Sequence, residues 1–439
     1  MQLSKNKKYQ YTFFFLIIIY SLFNGGNSNL LIQVNFLLIC LFYFFCLQDK
    51  NYSIHFKYFF RENKKSIYCY ILFLFYIFFQ IIPLPIEMIK FFSPEKYFYL
   101  NNLELDFQYS SISLSPTNSF FQLLNFCSLL LLIFILKMIF YREKHKNRFY
   151  LFLSSVGFIS ALVATLLNLT GNVDILSFKS YNNSSASTGF FVNRTVFSIF
   201  LLFCLVSSLE YLSNLKNIKD NFITCVYVRL FVIFIAIGLI TSFSRTGNFL
   251  LLVTLLFYMI NEILFKKENN KIFRNIILIV ILIDIFIFGI YFGSSRIVDR
   301  FMFLENEFAE IKNIDINIAR FQVIKFALFQ IYDYLIFGYG PGSFEVLFQI
   351  KFPNLIDSYA NHAHSDLIQF IGEFGLVGLI FFLLSISSFF LNINHNLKNN
   401  LLFSYLLIIL LFDFSLHIPL IQVLFVIFFI FNQKFIKLS

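Results

Sequence analysis

"DLIQFIGEFGLVGLIFFLLSISSFFL", residues 366–391, is an apolar run of 26 residues, long enough to cross a hydrocarbon core of about 30 Å as a helix. Asp366, Gln369 and Glu373 lie in its first third. Groups of this kind are costly on a segment entering lipid, so they are expected to face a protein interior or a wet cavity. On a continuous helix, His362, Asp366, Gln369 and Glu373 fall at i, i+4, i+7 and i+11, one polar stripe. Gly372, Gly375 and Gly378 form a small-residue ridge that admits a close neighbour.

Outward from this run, apolar stretches of similar length recur along all 439 residues. The chain is 59% hydrophobic and 13% charged, with a mean hydropathy of +0.76, which excludes an ordinary soluble domain. The expected fold is an all-α integral membrane protein with about twelve transmembrane helices in one polytopic domain, 1–439. The spans fall near 11–24, 30–47, 66–84, 118–139, 149–169, 194–212, 223–243, 247–265, 275–293, 366–391, 401–416 and 418–433. The first run follows Lys5, Lys7 and Lys8 but lacks an A-x-A cleavage pattern, and reads as a retained anchor. With the N-terminus inside, the inner segments hold 22 Lys and Arg against 11 outside, so both termini are assigned to the cytoplasm. The net charge of +10 follows that bias and gives no reason to invoke nucleic acid. The 68 Phe with no Trp read as compositional drift.

Three outer stretches result, 85–117, 170–193 and 294–365. The last is too long for a connector, is partly helical ("RFMFLENEFAEIKN", "ARFQVIKFALFQIYDYL") and precedes the tenth span. Its glycine turn, "FGYGPGSF" (337–344), lacks G-K-[ST] and follows no strand, so it reads as a tight turn shaping the outer loop. Cys40, Cys46, Cys69, Cys127, Cys204 and Cys225 lie in or beside apolar runs without a C-x-x-C pair. His362 and His364 form an H-x-H pair without an evident third ligand, so no metal and no cofactor are expected.

The same outer face collects Arg194 beside Asn193 in "GFFVNRT", Arg245 in "SFSRTG", and Arg320. Guanidinium groups hold phosphate oxygens bidentately and stay charged. A helix start adds free amides to Arg194. Three arginines and a histidine on one face make a phosphate-handling site.

"HSDLIQFIGEFGLVG" fits H-[NSQ]-x9-G-x-x-[GTY] through His364, Ser365, Gly375 and Gly378, and resembles the signature of the O-antigen ligase superfamily, which includes O-antigen polymerases. "GFFVNRT", "SFSRTG", Arg320 with "FGYGPGSF", and "PLPIEMIKFFSPEKY" (83–97) extend the resemblance over about 80–390. Phe190 and Thr195 depart from the family's usual Thr and Asn.

The resemblance implies a GT-C-like bacterial inner-membrane glycosyltransferase with its active site on the periplasmic face. A glycan leaves undecaprenyl pyrophosphate for a sugar hydroxyl, on a lipid A–core acceptor in a ligase or a second lipid-linked repeat in a polymerase. In that reading His364 takes the proton, Arg194, Arg245 and Arg320 hold the pyrophosphate, and His362, Asp366, Glu373 and Asn193 bind substrate. The ligase is favoured by the fit of the histidine motif. The chain ends soon after its last span, which disfavours a protein O-oligosaccharyltransferase. A solute transporter would show inverted repeats, and none is visible.

Overall fold

The computed structural model describes residues 2–48, 57, 59–103, 107–140, 142–170, 186–214, 222–264, 275, 278–280, 282, 320–352, 360–391 and 397–432. Within them the chain is helical apart from one pair of two-residue strands. The amino-terminal part comprises α1 (Gln2–Leu22), α2 (Asn29–Leu47), α3 (Lys64–Ile81), the short α4 (Ile86–Phe92) and α5 (Pro94–Asn102), and α6 (Pro116–Ile139). Strands β1 (Leu84–Pro85) and β2 (Tyr109–Ser110) pair antiparallel and clasp the base of α4 and α5, with Leu84 opposite Ser110. Then come α7 (Glu143–Leu169), α8 (Arg194–Asn214), α9 (Phe222–Thr241) and α10 (Arg245–Leu264). The site is completed by α11 (Arg320–Asp333), α12 (Phe344–Lys351), α13 (Asp366–Leu391), α14 (Leu397–Phe412) and α15 (Pro419–Asn432).

Helices α2, α3, α6, α7, α8, α9 and α13 are long and apolar enough to cross a membrane, and α14 and α15 are shorter apolar helices. Most of the span expected at 275–293 and all of "RFMFLENEFAEIKN" lie outside the described residues, as do 171–185. The span expected at 401–416 is shifted by four residues: α14 runs from Leu397 to Phe412, and a 3₁₀ turn, Ser415–His417, separates it from α15.

Helix α8 is the axis of the bundle. Its sequence, "VFSIFLLFCLVSSL" from Val196, is apolar on every side, and such a helix belongs in a core. Its hydrophobic window is 94% buried, with α7, α9, α10 and α15 packed around it. Its serines return their hydroxyls to the helix, as Ser207 to Phe203 O (3.0 Å) and Ser208 to Cys204 O (3.0 Å), so they cost little inside. Small residues let the neighbours close in: Gly157 of α7 faces Cys204, and Gly238 of α9 faces Ala161. By contrast α2 exposes Leu30, Val34, Leu37, Leu41 and Phe44, a stripe at helical spacing that only an apolar surrounding would favour.

Polar contacts collect at the two ends of the bundle. At one end Asn147 meets Asn214 (3.2 Å), Arg148 meets Gln10 (3.3 Å) and the Lys146 ammonium caps Phe431 O (2.7 Å). At the other, Val192 N donates to Asn24 Oδ1 (2.9 Å), Ser187 N to Thr241 O (3.0 Å) and Asp366 N to Asp413 O (2.9 Å). This second end holds the candidate site.

Candidate active site

Helix α13 is not continuous. Gly375 takes φ 62° and ψ −176°, a backbone region that is essentially glycine's alone, and breaks the helix ten residues in. The break leaves peptide groups without helical partners inside a membrane protein, where each would cost several kcal/mol. The glycine turn supplies the partners. Leu376 N donates to Leu335 O (2.8 Å) and Val377 N to Ile336 O (3.2 Å), while Tyr339 N and Gly340 N donate to Gly372 O and Glu373 O, each at 3.0 Å. Gly338 lies so close that a Cβ on it would sit 2.2 Å from Glu373 O.

From α3, Gln80 Nε2 donates to Phe337 O (2.7 Å) and the Tyr76 hydroxyl to Phe337 O (2.7 Å) and Phe374 O (3.0 Å). Ser343 ties the far end of the turn to Ser115 N (3.0 Å). The turn expected to shape an outer loop is therefore buried in the bundle. The glycine ridge meets the Tyr339 ring at Gly372, the turn at Gly375 and the Tyr76 ring at Gly378.

The predicted stripe is corrected at its start. Helix α13 begins at Asp366, and His362 and His364 stand in the loop before it. Asp366, Gln369 and Glu373 do share one buried face. Gln369 bridges from Ala363 N (3.0 Å) to Glu373 Oε1 (2.8 Å). Ser365 donates to Leu410 O (3.0 Å), so the loop is fastened to α14. His364, between these anchors, has φ 58°, a left-handed conformation that costs a non-glycine residue about 1–2 kcal/mol.

Residues 413–417 complete the cluster. The Phe414 ring stacks on His362 (centroids 4.8 Å, 17°) and meets His364 edge-on (5.2 Å, 74°). His417 was not anticipated from sequence. Its Nδ1 contacts Asp366 Oδ1, its Nε2 lies 3.9 Å from Glu373 Oε2, and its ring is 5.1 Å from that of His362. Leu416 N donates to the second Asp366 oxygen (2.9 Å). Burial would depress His417, but Asp366 and Glu373 hold it up at about 10. His362 is pushed well below the usual histidine range by burial and by the charges of His417 and His364. The missed signal was "DFSLH" (413–417), a polar interruption between two apolar runs that was absorbed into the spans. Asp366 and Glu373 thus turn towards His417 and not towards the surface.

The arginines arrive by different routes. Asn193 Oδ1 accepts from Thr195 N (2.7 Å) and so caps α8, which Arg194 opens. Ser244 Oγ accepts from Gly247 N (3.1 Å) and caps α10, which Arg245 opens. Gly247 lies against Ser198, one turn along α8 from Arg194, so the two helix starts are neighbours. The 3₁₀ turn carrying His417 touches α8, α13, α14 and α15. Arg320 opens α11, which packs on α13, and its charge acts on Asp413. Arg245 and Arg320 are exposed, while Arg194, Asn193, His362 and His364 are half-buried. Among the described residues no group of three His, Cys, Asp or Glu is placed to hold a metal ion.

This end of the bundle gathers helix starts, arginines and histidines, a set suited to a large anion and a proton transfer. Residues 230–383 match the O-antigen ligase family. The match covers about a third of the chain. A comparison with curated proteins found no match. The matched segment takes in Arg245, Arg320, His362, His364, Asp366 and Glu373, whereas Arg194, Asn193 and His417 fall outside it. Together with the apolar helices, the match supports a multi-pass membrane protein of the glycosyl-transferring ligase or polymerase type, a family that implies lipid-linked glycan substrates.

Proposed function

We propose that the chain is an O-antigen ligase-like enzyme of the bacterial inner membrane, moving a glycan from undecaprenyl pyrophosphate to a hydroxyl of lipid A–core at the periplasmic face. The observation that carries this reading is the meeting, at one end of the bundle, of the starts of α8 and α10 with the 360–366 loop and the 413–417 turn. In the step itself the acceptor oxygen bonds to the anomeric carbon as the carbon–oxygen bond to the pyrophosphate breaks. The hydroxyl proton passes to His364, whose ring stands half-exposed on the Phe414 edge. General-base help of this kind is worth on the order of 10² to 10⁴-fold. Charge develops on the departing pyrophosphate, and Arg194, Arg245 and Arg320 oppose it, aided by the free amides of the α8 and α10 starts. Asn193 and His362 border the same opening and contact the sugars.

The test uses a host lacking its own ligase, with wild-type and His364→Ala chains at matched membrane levels and lipopolysaccharide read on gels. A long-chain ladder restored by the wild type and lost in the variant is the expected result. Equal ladders from both would remove His364 as the base. Restoration only in a polymerase-deficient host would reassign the acceptor to a second lipid-linked repeat.

A further inference from the structure

We propose that His417 is the fixed cation of the histidine cluster, clamped by Asp366 and Glu373 so that His362, beside the base His364, stays neutral and accepts a hydrogen bond from a sugar hydroxyl other than the attacking one. The inference rests on the glycosyl-transfer reading of this site and assigns a positioning residue to it.

The geometry points there before any titration is considered. Both ring nitrogens of His417 face carboxylate oxygens, Nδ1 at Asp366 and Nε2 at Glu373. A neutral imidazole donates from one nitrogen only, so two carboxylates on opposite sides suit the imidazolium. Neither carboxylate can swing away easily. Asp366 is fixed by Leu416 N, and Glu373 is held by Gln369 on the last turn before the Gly375 break.

The His362 ring then lies 5.1 Å from a permanent cation, with Phe414 stacked on it, and a second positive charge there would be strongly opposed. His362 Nδ1 is buried and has no hydrogen-bond partner among the described residues. The other groups bearing on this ring are His364 from its own loop and Gln369 from α13. Beyond them Asp366 faces His417, Glu373 and Asp413, Arg320 acts on Asp413, and Arg194 opens the helix packed against the 3₁₀ turn. Burial first, and then the charges of His417 and His364, lower His362, while Asp366 and Glu373 raise His417 to about 10.

The test is an NMR titration of the full chain in lipid nanodiscs with [13Cε1]-histidine. The signals are assigned by His362→Gln, His364→Gln and His417→Gln. Between about pH 5.5 and pH 8 the His417 signal is expected to stay cationic and that of His362 neutral. A His417 that titrates as an ordinary imidazole, or a His362 that protonates in that range in the wild type, overturns the proposal. In the His417→Gln chain the repelling charge is gone, and His362 is expected to titrate at a higher pH than in the wild type, with burial still holding it below the usual histidine range.

In the ligase-deficient host, whose periplasm follows the pH of the medium, the His417→Gln ladder should fall more steeply than the wild-type ladder between about pH 7.5 and pH 6, as His362 gains the proton that His417 otherwise excludes. Parallel profiles for the two chains would leave His417 a merely structural residue and sink the idea. The NMR arm needs no substrate. A wild type that gives no ladder would therefore defeat the ligase reading separately from this one.

Discussion

At the scale of single residues, His364 carries strain where the proposed chemistry needs a fixed ring. Its left-handed backbone is imposed by Ala363 and Ser365, which are bonded to Gln369 and to Leu410 O on either side. Glycine adopts that backbone freely, so His364→Gly should leave stability unchanged or raise it by up to about 1 kcal/mol. Glycosyl transfer should nonetheless fall by about 10² to 10⁴-fold, as expected for a lost general base. Melting in detergent set beside the gel ladder separates the two effects, and a parallel loss of both would mean that the ring holds the loop together. His417 gives a second residue-level prediction, in pH. Its folded-state pKa is raised to about 10, so its stabilisation is complete below the ordinary value of about 6.5 and fades as pH climbs towards 10. His417→Gln should therefore lower the melting temperature more at about pH 6 than at about pH 9. An equal drop at both would refute the clamp.

At the scale of elements, the broken helix α13 is the organising piece. It places Glu373 beside His417 by ending one helical segment at Gly375, and the turn 335–340 replaces the missing helical bonds. An alanine at 375 would meet Ile336 O at 2.4 Å in a backbone region alanine avoids, at a cost of about 1–3 kcal/mol before the clash is counted. Gly375→Ala is thus expected to lower both melting temperature and transfer, and an alanine variant that melts and transfers like the wild type would show the break to be dispensable.

The sequence made α13 legible as an apolar span with a polar mouth, because length, hydropathy and the Asp366, Gln369 and Glu373 spacing are local quantities. The break was hidden, since H-[NSQ]-x9-G spacing reads equally well as a straight helix. What turns Gly375 into a break is the turn around Gly338, 37 positions earlier, and no local pattern joins them. His417 was missed for the same reason. Its partners Asp366 and Glu373 lie far away in sequence, and a lone histidine between apolar runs reads as the edge of a span.

At the scale of the whole molecule, two bundle ends with different chemistry separate the basic segments from the candidate site. Lys146, Arg148 and Asn214 meet at one end, while Asn24, Val192, Thr241, Asp366 and Asp413 meet at the other. On the proposed reading, the positive-inside bias, 22 against 11, puts the lysine-rich end in the cytoplasm and the histidine end in the periplasm. Exposed positions make this assignment testable. Leu103, at the close of α5, and Lys144, in the first turn of α7, are both exposed and belong to opposite ends. In a chain whose six native cysteines are replaced by serine or alanine, a cysteine at 103 should react with a membrane-impermeant maleimide in intact spheroplasts. A cysteine at 144 should react only after the membrane is permeabilised. The reverse pattern would invert the molecule and place the arginines and histidines in the cytoplasm. A lipid A–core acceptor waiting on the outer leaflet would then be out of their reach, and the ligase reading would fall with the topology.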